Sequence, residues 1–97
     1  MKDRVARKFD ANAIKYGEMR FYFYSNAISV IDECESQQIK ILGFNSFKLA
    51  AQGIQPFMEF SPDYSTLDKK LTWSKAREDI SNYSKMDFVF EIVYEKN

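Results

Sequence analysis

The chain contains no histidine, and only one cysteine, two prolines and three glycines in its 97 residues. Without histidine it lacks the commonest general base and metal ligand, which excludes Ser-His-Asp and Cys-His nucleophile arrangements. A zinc site draws on several Cys or His ligands, and Cys34 is the single thiol. One cysteine also excludes an intramolecular disulfide, in keeping with a reducing cytosol. Gly17, Gly43 and Gly53 stand isolated, so there is no glycine-rich phosphate loop. No apolar run approaches the roughly 18–20 residues that span a bilayer. Residues 1–8 carry charge with no apolar stretch behind them, which argues against a secretory signal, and Asp3 and Asp10 argue against an amphipathic targeting peptide. A cytoplasmic location without membrane contact is the expectation. Net charge is missing too: 14 basic residues balance 14 acidic ones. The chain thus lacks the strong basic field of a dedicated nucleic-acid binder, and no nucleic-acid partner is expected.

The balance is uneven along the chain. Residues 1–24 hold six basic side chains (Lys2, Arg4, Arg7, Lys8, Lys15, Arg20) against three acidic ones (Asp3, Asp10, Glu18), a net of +3, and the remainder is −3. A mildly acidic body favours a basic partner by complementary charge, although plain solubility is the preferred explanation.

What the chain has in quantity is core material. Hydrophobic residues make up 45% and aromatics 16%, with nine Phe and six Tyr, a composition that argues against disorder. The length fits one domain over residues 1–97, burying roughly 60–70% of the surface the unfolded chain exposes. Residues 1–17 are the least committed, compatible with a short helix or a mobile arm that ends at Gly17. Phe21-Tyr22-Phe23-Tyr24 has strand propensity and is equally a lead-in to a helix. From Ser25 the pattern is helical: Ala27, Val30, Ile31 and Cys34 fall at i, i+3, i+4 and i+7, with Ser25 or Asn26 as N-cap. On that stripe Cys34 is a small buried hydrophobe in preference to a reactive thiol.

Ile39-Lys40-Ile41-Leu42 predicts a strand, Gly43-Phe44-Asn45-Ser46 a turn and Phe47-Lys48-Leu49 a returning strand, making a hairpin of residues 39–50. Pro56 marks residues 54–60 as an edge strand or extended segment, because proline cannot donate to a ladder. Residues 61–65 are a loop by composition. A second helix begins near Thr72 and presents Trp73, Ala76, Ile80 and Tyr83 on one face. Phe88, Phe90, Ile92 and Tyr94 alternate with Val89, Glu91, Val93 and Glu95, the period of a strand with one apolar face. The expected fold is α+β: two main helices packed on one face of a small, mostly antiparallel sheet.

Chemistry finds little support. Glu91 and Glu95 share a strand face, yet at roughly 3.3 Å per residue they stand about 13 Å apart, too far for one site unless a third acid lies between them. Asp32, Glu33 and Glu35 crowd one helix but diverge around it, the pattern of a solvated face. No motif calls for a cofactor or a metal. The Phe21–Tyr24 run beside Arg20 has some character of a single-stranded nucleic-acid platform. A protein-binding surface is the better use, since Tyr, Trp and Phe are enriched at interface hot spots. Tyr64, in its Pro-Asp-Tyr loop, is the leading single candidate, whereas Trp73 is assigned to the core.

One pattern extends over residues 25–95. It comprises Ile39-Lys40-Ile41-Leu42-Gly43-Phe44-Asn45-Ser46-Phe47-Lys48-Leu49, then Gly53-Ile54-Gln55-Pro56-Phe57-Met58-Glu59, then Trp73-Ser74-Lys75-Ala76, then Phe88-Val89-Phe90-Glu91-Ile92-Val93-Tyr94. It resembles small bacterial immunity proteins that accompany polymorphic and contact-dependent growth-inhibition toxins. The resemblance implies a cytoplasmic, non-catalytic protein that binds the toxic domain of a cognate effector one to one and occludes its active site. Such effectors are often nucleases with basic clefts, and the neutral charge of this chain departs from the acidic inhibitor such a cleft attracts. Within that reading Gly43, Pro56 and Trp73 serve the fold. The contact patch is drawn from Glu59, Asp63, Tyr64 and Asp68, together with Asp32, Glu33 and Glu35. The alternatives are a generic interaction or regulatory module of a larger assembly, and a small enzyme or nucleotide binder. Charge reversal at Asp63 and Glu59 separates the first two: an electrostatic inhibitor loses association rate and changes its salt dependence.

Overall fold

The computed structural model describes residues 4–17, 19–50, 53–56, 61–82 and 88–95. Along the chain run α1 (Arg4–Lys8), a 3-10 turn (Asp10–Asn12), β1 (Ile14–Tyr16), β2 (Met19–Phe21) and α2 (Tyr24–Ser36). They are followed by β3 (Ile41–Ala50), β4 (Gly53–Pro56), α3 (Lys69–Ser81) and β5 (Phe88–Tyr94). The helical stripe from Ala27 to Cys34 becomes the buried face of α2, with all four residues at 0% exposure. Trp73, Ala76 and Ile80 do the same for α3, while Tyr83 lies outside the described residues.

The sheet order is β4-β3-β5, antiparallel throughout, with β1-β2 forming a separate hairpin. Both long helices touch the sheet, α2 against β5 and α3 against β3, and they pack on each other. The period-two pattern of β5 works as expected: Phe88, Phe90 and Ile92 enter the main core with Phe44 of β3 and the two helix stripes. That core runs in sequence from Val5 to Ile92. Full burial of a side chain such as Phe44, Phe90 or Ile31 contributes about 1.5–3 kcal/mol. The result is the expected small α+β fold.

Several local expectations are corrected. The predicted hairpin over residues 39–50 is one strand, Ile41–Ala50, that runs straight through Gly43-Phe44-Asn45-Ser46. Gly43 serves a bulge there instead of a turn: the register with β5 shifts between Ile41 and Gly43. The hairpin that does form joins β3 to β4, with Ala50 opposite Gly53. Pro56 sits on the sheet edge opposite Phe47, as its missing N–H requires. The N-cap of α2 is Phe23, two and three residues ahead of the hydroxyl and amide candidates Ser25 and Asn26, and it makes no side-chain cap hydrogen bond. Helix α3 starts at Lys69, three residues before Thr72. Thr72 is instead a buried link: its Oγ1 accepts from the Ile41 amide at 3.2 Å while its hydroxyl donates to the Lys69 carbonyl at 2.7 Å. Trp73 is core, as assigned, and its indole Nε1–H donates to the Ile39 carbonyl at 2.8 Å.

The uncommitted N-terminal stretch folds as α1, the 3-10 turn and β1, with Val5 in the main core. Gly17 turns β1 into β2 with a left-handed φ of 63°, which a glycine adopts without strain. The aromatic run then divides between both of its expected roles. Phe21 ends β2, Tyr22 exchanges two backbone hydrogen bonds with Phe90 (2.9 and 2.8 Å), and Tyr24 opens α2. Among the described residues, no helix is long and apolar enough to cross a membrane.

Candidate functional site

The acidic side chains singled out from the sequence are placed by three different elements, and most are held by cations of this same chain. Asp32 and Glu35 lie one turn apart on α2 and both reach Arg77 of α3. The guanidinium Nε–H donates to Asp32 Oδ1 at 2.9 Å, and Nη2 binds Glu35 Oε1. Burial works against the charge on Arg77, but the hydrogen bonds to Glu35 and Asp32 outweigh it and hold the guanidinium above its ordinary value. The three side chains form a clamp between the helices.

Glu33 points the other way, as a 100° step per residue demands. Its carboxylate accepts from Gln37 Nε2 at 2.7 Å and from Lys8 Nζ at 2.6 Å, tying α2 to α1. Those two donors, Gln37 first, hold its carboxyl below the usual range. The expected divergence around the helix holds for Glu33 alone, since Asp32 and Glu35 converge on Arg77, and each member of the trio serves a contact between helices.

The second group lies in the segment before α3. Asp63 is exposed, and its Oδ1 accepts the Ser65 amide at 2.9 Å in a local turn. That backbone donor holds its carboxyl below the ordinary value, with Lys40 adding a smaller contribution. Lys40 in turn donates to the Ser65 carbonyl at 2.7 Å. Asp68 is exposed at the N-cap of α3, with no side-chain cap bond. Glu59 lies outside the described residues.

Tyr64 requires a correction. Expected as a loop aromatic open to a partner, it is 3% exposed and belongs to the main core. Its amide donates to the Leu42 carbonyl at 2.8 Å, and its ring meets Phe44 edge-on with centroids 6.4 Å apart. The phenol donates to Asp79 Oδ2 at 2.6 Å. Burial and the Asp79 carboxylate push the phenol far above its ordinary pKa. Loop composition concealed this because Asp63 pairs across to Gly43 as an isolated bridge, and so turns the next side chain inward.

The exposed apolar side chains gather elsewhere. Among the described residues the large exposed ones are Tyr16 at 69%, Leu71 at 54%, Phe23 at 46%, Val93 at 37% and Met19 at 36%. Tyr16 and Met19 are directly opposed in the β1-β2 hairpin. The antiparallel Tyr22–Phe90 bridge sets β2 beside β5, so Met19, three residues before it, extends toward Val93, three residues after it. Side chains alternate along a strand, which puts Phe23, Phe21 and Met19 on the same side of the sheet as Val89 and Val93. This is the side away from the main core. Phe21 anchors it: its ring meets Phe47 edge-on at a centroid distance of 4.7 Å, and Val89, paired with Phe47, is completely buried at that contact. The hairpin is also held from behind, where Asp10 accepts from Lys15 at 2.8 Å and from Arg20 at 2.5 Å. The Arg20 hydrogen bond, then that of Lys15, lowers the Asp10 carboxyl.

This site was half visible in the sequence: the Phe21–Tyr24 run signalled a surface, but Tyr16 and Met19 fell in the segment whose structure was undecided. The chain matches no family model, no curated protein and no solved structure. Among the described residues no group of three or more Cys, Asp or Glu side chains is arranged to hold a metal ion.

Proposed function

We propose that this chain acts by binding another protein, and that the partner is the toxic domain of a cognate effector, neutralised by occlusion in the cytoplasm. The observation that carries the binding role is the exposed set of Tyr16, Met19, Phe23 and Val93 on one face of the sheet, held by the Phe21–Phe47 contact and the Asp10 ion pairs. Rigid, exposed aromatic and Met side chains are the kind that carry interface energy. The choice of a toxin as partner rests on the resemblance of residues 25–95 to immunity proteins. The acidic residues enter this reading in a reduced role. Asp63 and Asp68 remain exposed and are suited to a polar rim, whereas Asp32, Glu33 and Glu35 hold helices together and Tyr64 sits in the core.

The test is a tagged pull-down from the native bacterium followed by growth rescue. Recovery of one stoichiometric effector domain, whose toxicity co-expression of this chain abolishes, supports the proposal. Co-expression that leaves a recovered toxic domain fully active refutes it.

A further inference from the structure

The seam between the β1-β2 hairpin and β5 is unfinished, and the strand registers show which residues would finish it. In an antiparallel ladder, residues that exchange both backbone hydrogen bonds alternate with residues whose N–H and C=O point to the opposite edge. Tyr16 and Met19 close a two-residue turn as a hydrogen-bonded pair, and Ile14 and Phe21 form the next such pair. Arg20, between them, therefore turns its backbone groups away from β1. Tyr22 points the same way and bonds Phe90 in both directions. Counted from Phe90, the same alternation on β5 directs the N–H and C=O of Ile92 away from β3 and toward β2. Continuing the Tyr22–Phe90 register along both strands sets Arg20 opposite Ile92 and Met19 opposite Val93. Among the described residues, however, the pairing stops at that single bridge, and β1-β2 stands as a sheet separate from β4-β3-β5. Ile92 is 7% exposed, and backbone groups kept from water nearly always take a partner.

We propose that the hairpin is a flap hinged on the Tyr22–Phe90 bridge, and that it closes by pairing Arg20 with Ile92 into one five-stranded sheet of order β4-β3-β5-β2-β1. Phe21, seated on Phe47, keeps the root of the hairpin fixed, so the movement is confined to its tip. The Asp10 ion pairs to Lys15 and Arg20 tether that tip to the 3-10 turn. In the splayed state Met19 and Val93 are exposed, at 36% and 37%. Closure sets them against each other as a cross-strand pair and withdraws both from water. The device belongs to this chain alone and stands whatever the partner is.

The experiment is amide hydrogen exchange on the full chain, read residue by residue. The Arg20 and Ile92 amides should be protected, yet exchange about tenfold or more faster than Tyr22 and Phe90, because the flap opens while the bridge holds. A cross-link makes closure permanent. Opposed residues of a closed ladder lie within the roughly 4.4–6.8 Å Cα spacing that a disulfide spans, so M19C with V93C should form an internal bridge under glutathione disulfide. Tyr16 lies one strand further out, roughly 10 Å from β5, and Y16C with V93C should form none. All three positions are exposed, so the variants are expected to keep the native spectrum, and exchange on the parent needs no substitution. The M19C–V93C bridge should slow Arg20 and Ile92 to the rates of Tyr22 and Phe90, and reduction should restore the difference. In the parent, Arg20 and Ile92 amides as fast as unstructured ones, or as slow as Tyr22 and Phe90, overturn the proposal. A cross-link that leaves their exchange unchanged overturns it as well.

Discussion

Replacing Gly43 with alanine tests the joint between β3 and the loop that precedes α3. Gly43 has a φ of 153°, and a Cβ built on it stands 2.3 Å from the Pro62 carbonyl oxygen. Backbone cannot swing aside as a flexible side chain would, so either the loop lifts or the bulge flattens. Lifting the loop stretches the Tyr64 amide bond to the Leu42 carbonyl and draws on the burial of Tyr64. Backbone strain of about 1–3 kcal/mol, added to a backbone hydrogen bond of about 1 kcal/mol, gives a loss of about 2–4 kcal/mol. At about 4–8 °C per kcal/mol for a domain of this size, the melting temperature should fall by about 10–30 °C. Gly17→Ala is the control. Its φ of 63° is also unfavourable for alanine, but no atom lies within 4 Å of the added Cβ. It should lose about 1–2 kcal/mol, the cost of the left-handed conformation alone. Thermal melts followed by circular dichroism compare the two. Equal shifts, or a Gly43→Ala melt within a few degrees of the parent, would show that the contact with Pro62 is not the constraint described.

Three further outcomes are expected. Tyr64→Phe removes a buried hydrogen bond to a carboxylate and should lose about 1.5–3 kcal/mol in chemical denaturation. Because burial raises the Tyr64 phenol above its ordinary value of 10.0, folding favours the protonated form; the parent's stability therefore holds below pH 10 and declines above it, and alkaline titration should show Tyr64→Phe losing that part of the slope. Thr72→Val keeps the shape of a completely buried side chain but strands the Ile41 amide, for a loss of about 1–3 kcal/mol in the same assay. Ser46, 1% exposed, has an Oγ with no hydrogen-bond partner among the described residues, so Ser46→Ala should raise stability by about 1 kcal/mol, and a loss of that size would reveal a partner for the hydroxyl.

The parts of the fold that were legible are those where burial and secondary-structure period agree. The α2 stripe, the α3 stripe and the alternation of β5 all had one apolar face and one place to bury it. Reading failed where a residue's usual job was taken by a neighbour. Gly43-Phe44-Asn45-Ser46 has turn composition, yet Phe44 and Ser46 are buried within a continuous strand because the close approach of Pro62 gives Gly43 another purpose. Ser25 and Asn26 are good caps in isolation, but the Tyr22–Phe90 bridge fixes where the chain leaves the sheet, and the helix starts there. Tyr64 was misplaced for the same kind of reason, a long-range backbone pairing that local composition does not encode. The exposed strip on the sheet was the least legible feature. It depends on bringing β1, β2 and β5 together across some seventy positions of sequence, and no local period records that neighbourhood.

Cys34 offers a clock. Its thiol is 0% exposed on the inner face of α2, among Val30, Ile31 and the β5 aromatics, and it is the one cysteine of the chain. A reagent that modifies thiols can reach it only while α2 stands away from the sheet. Under conditions where closing is faster than labelling, the modification rate measures the population of that open state in undenatured protein. The same reaction run with and without a bound partner then reports how far binding at the distant hairpin steadies the centre of the molecule, with no probe added to the surface that binds.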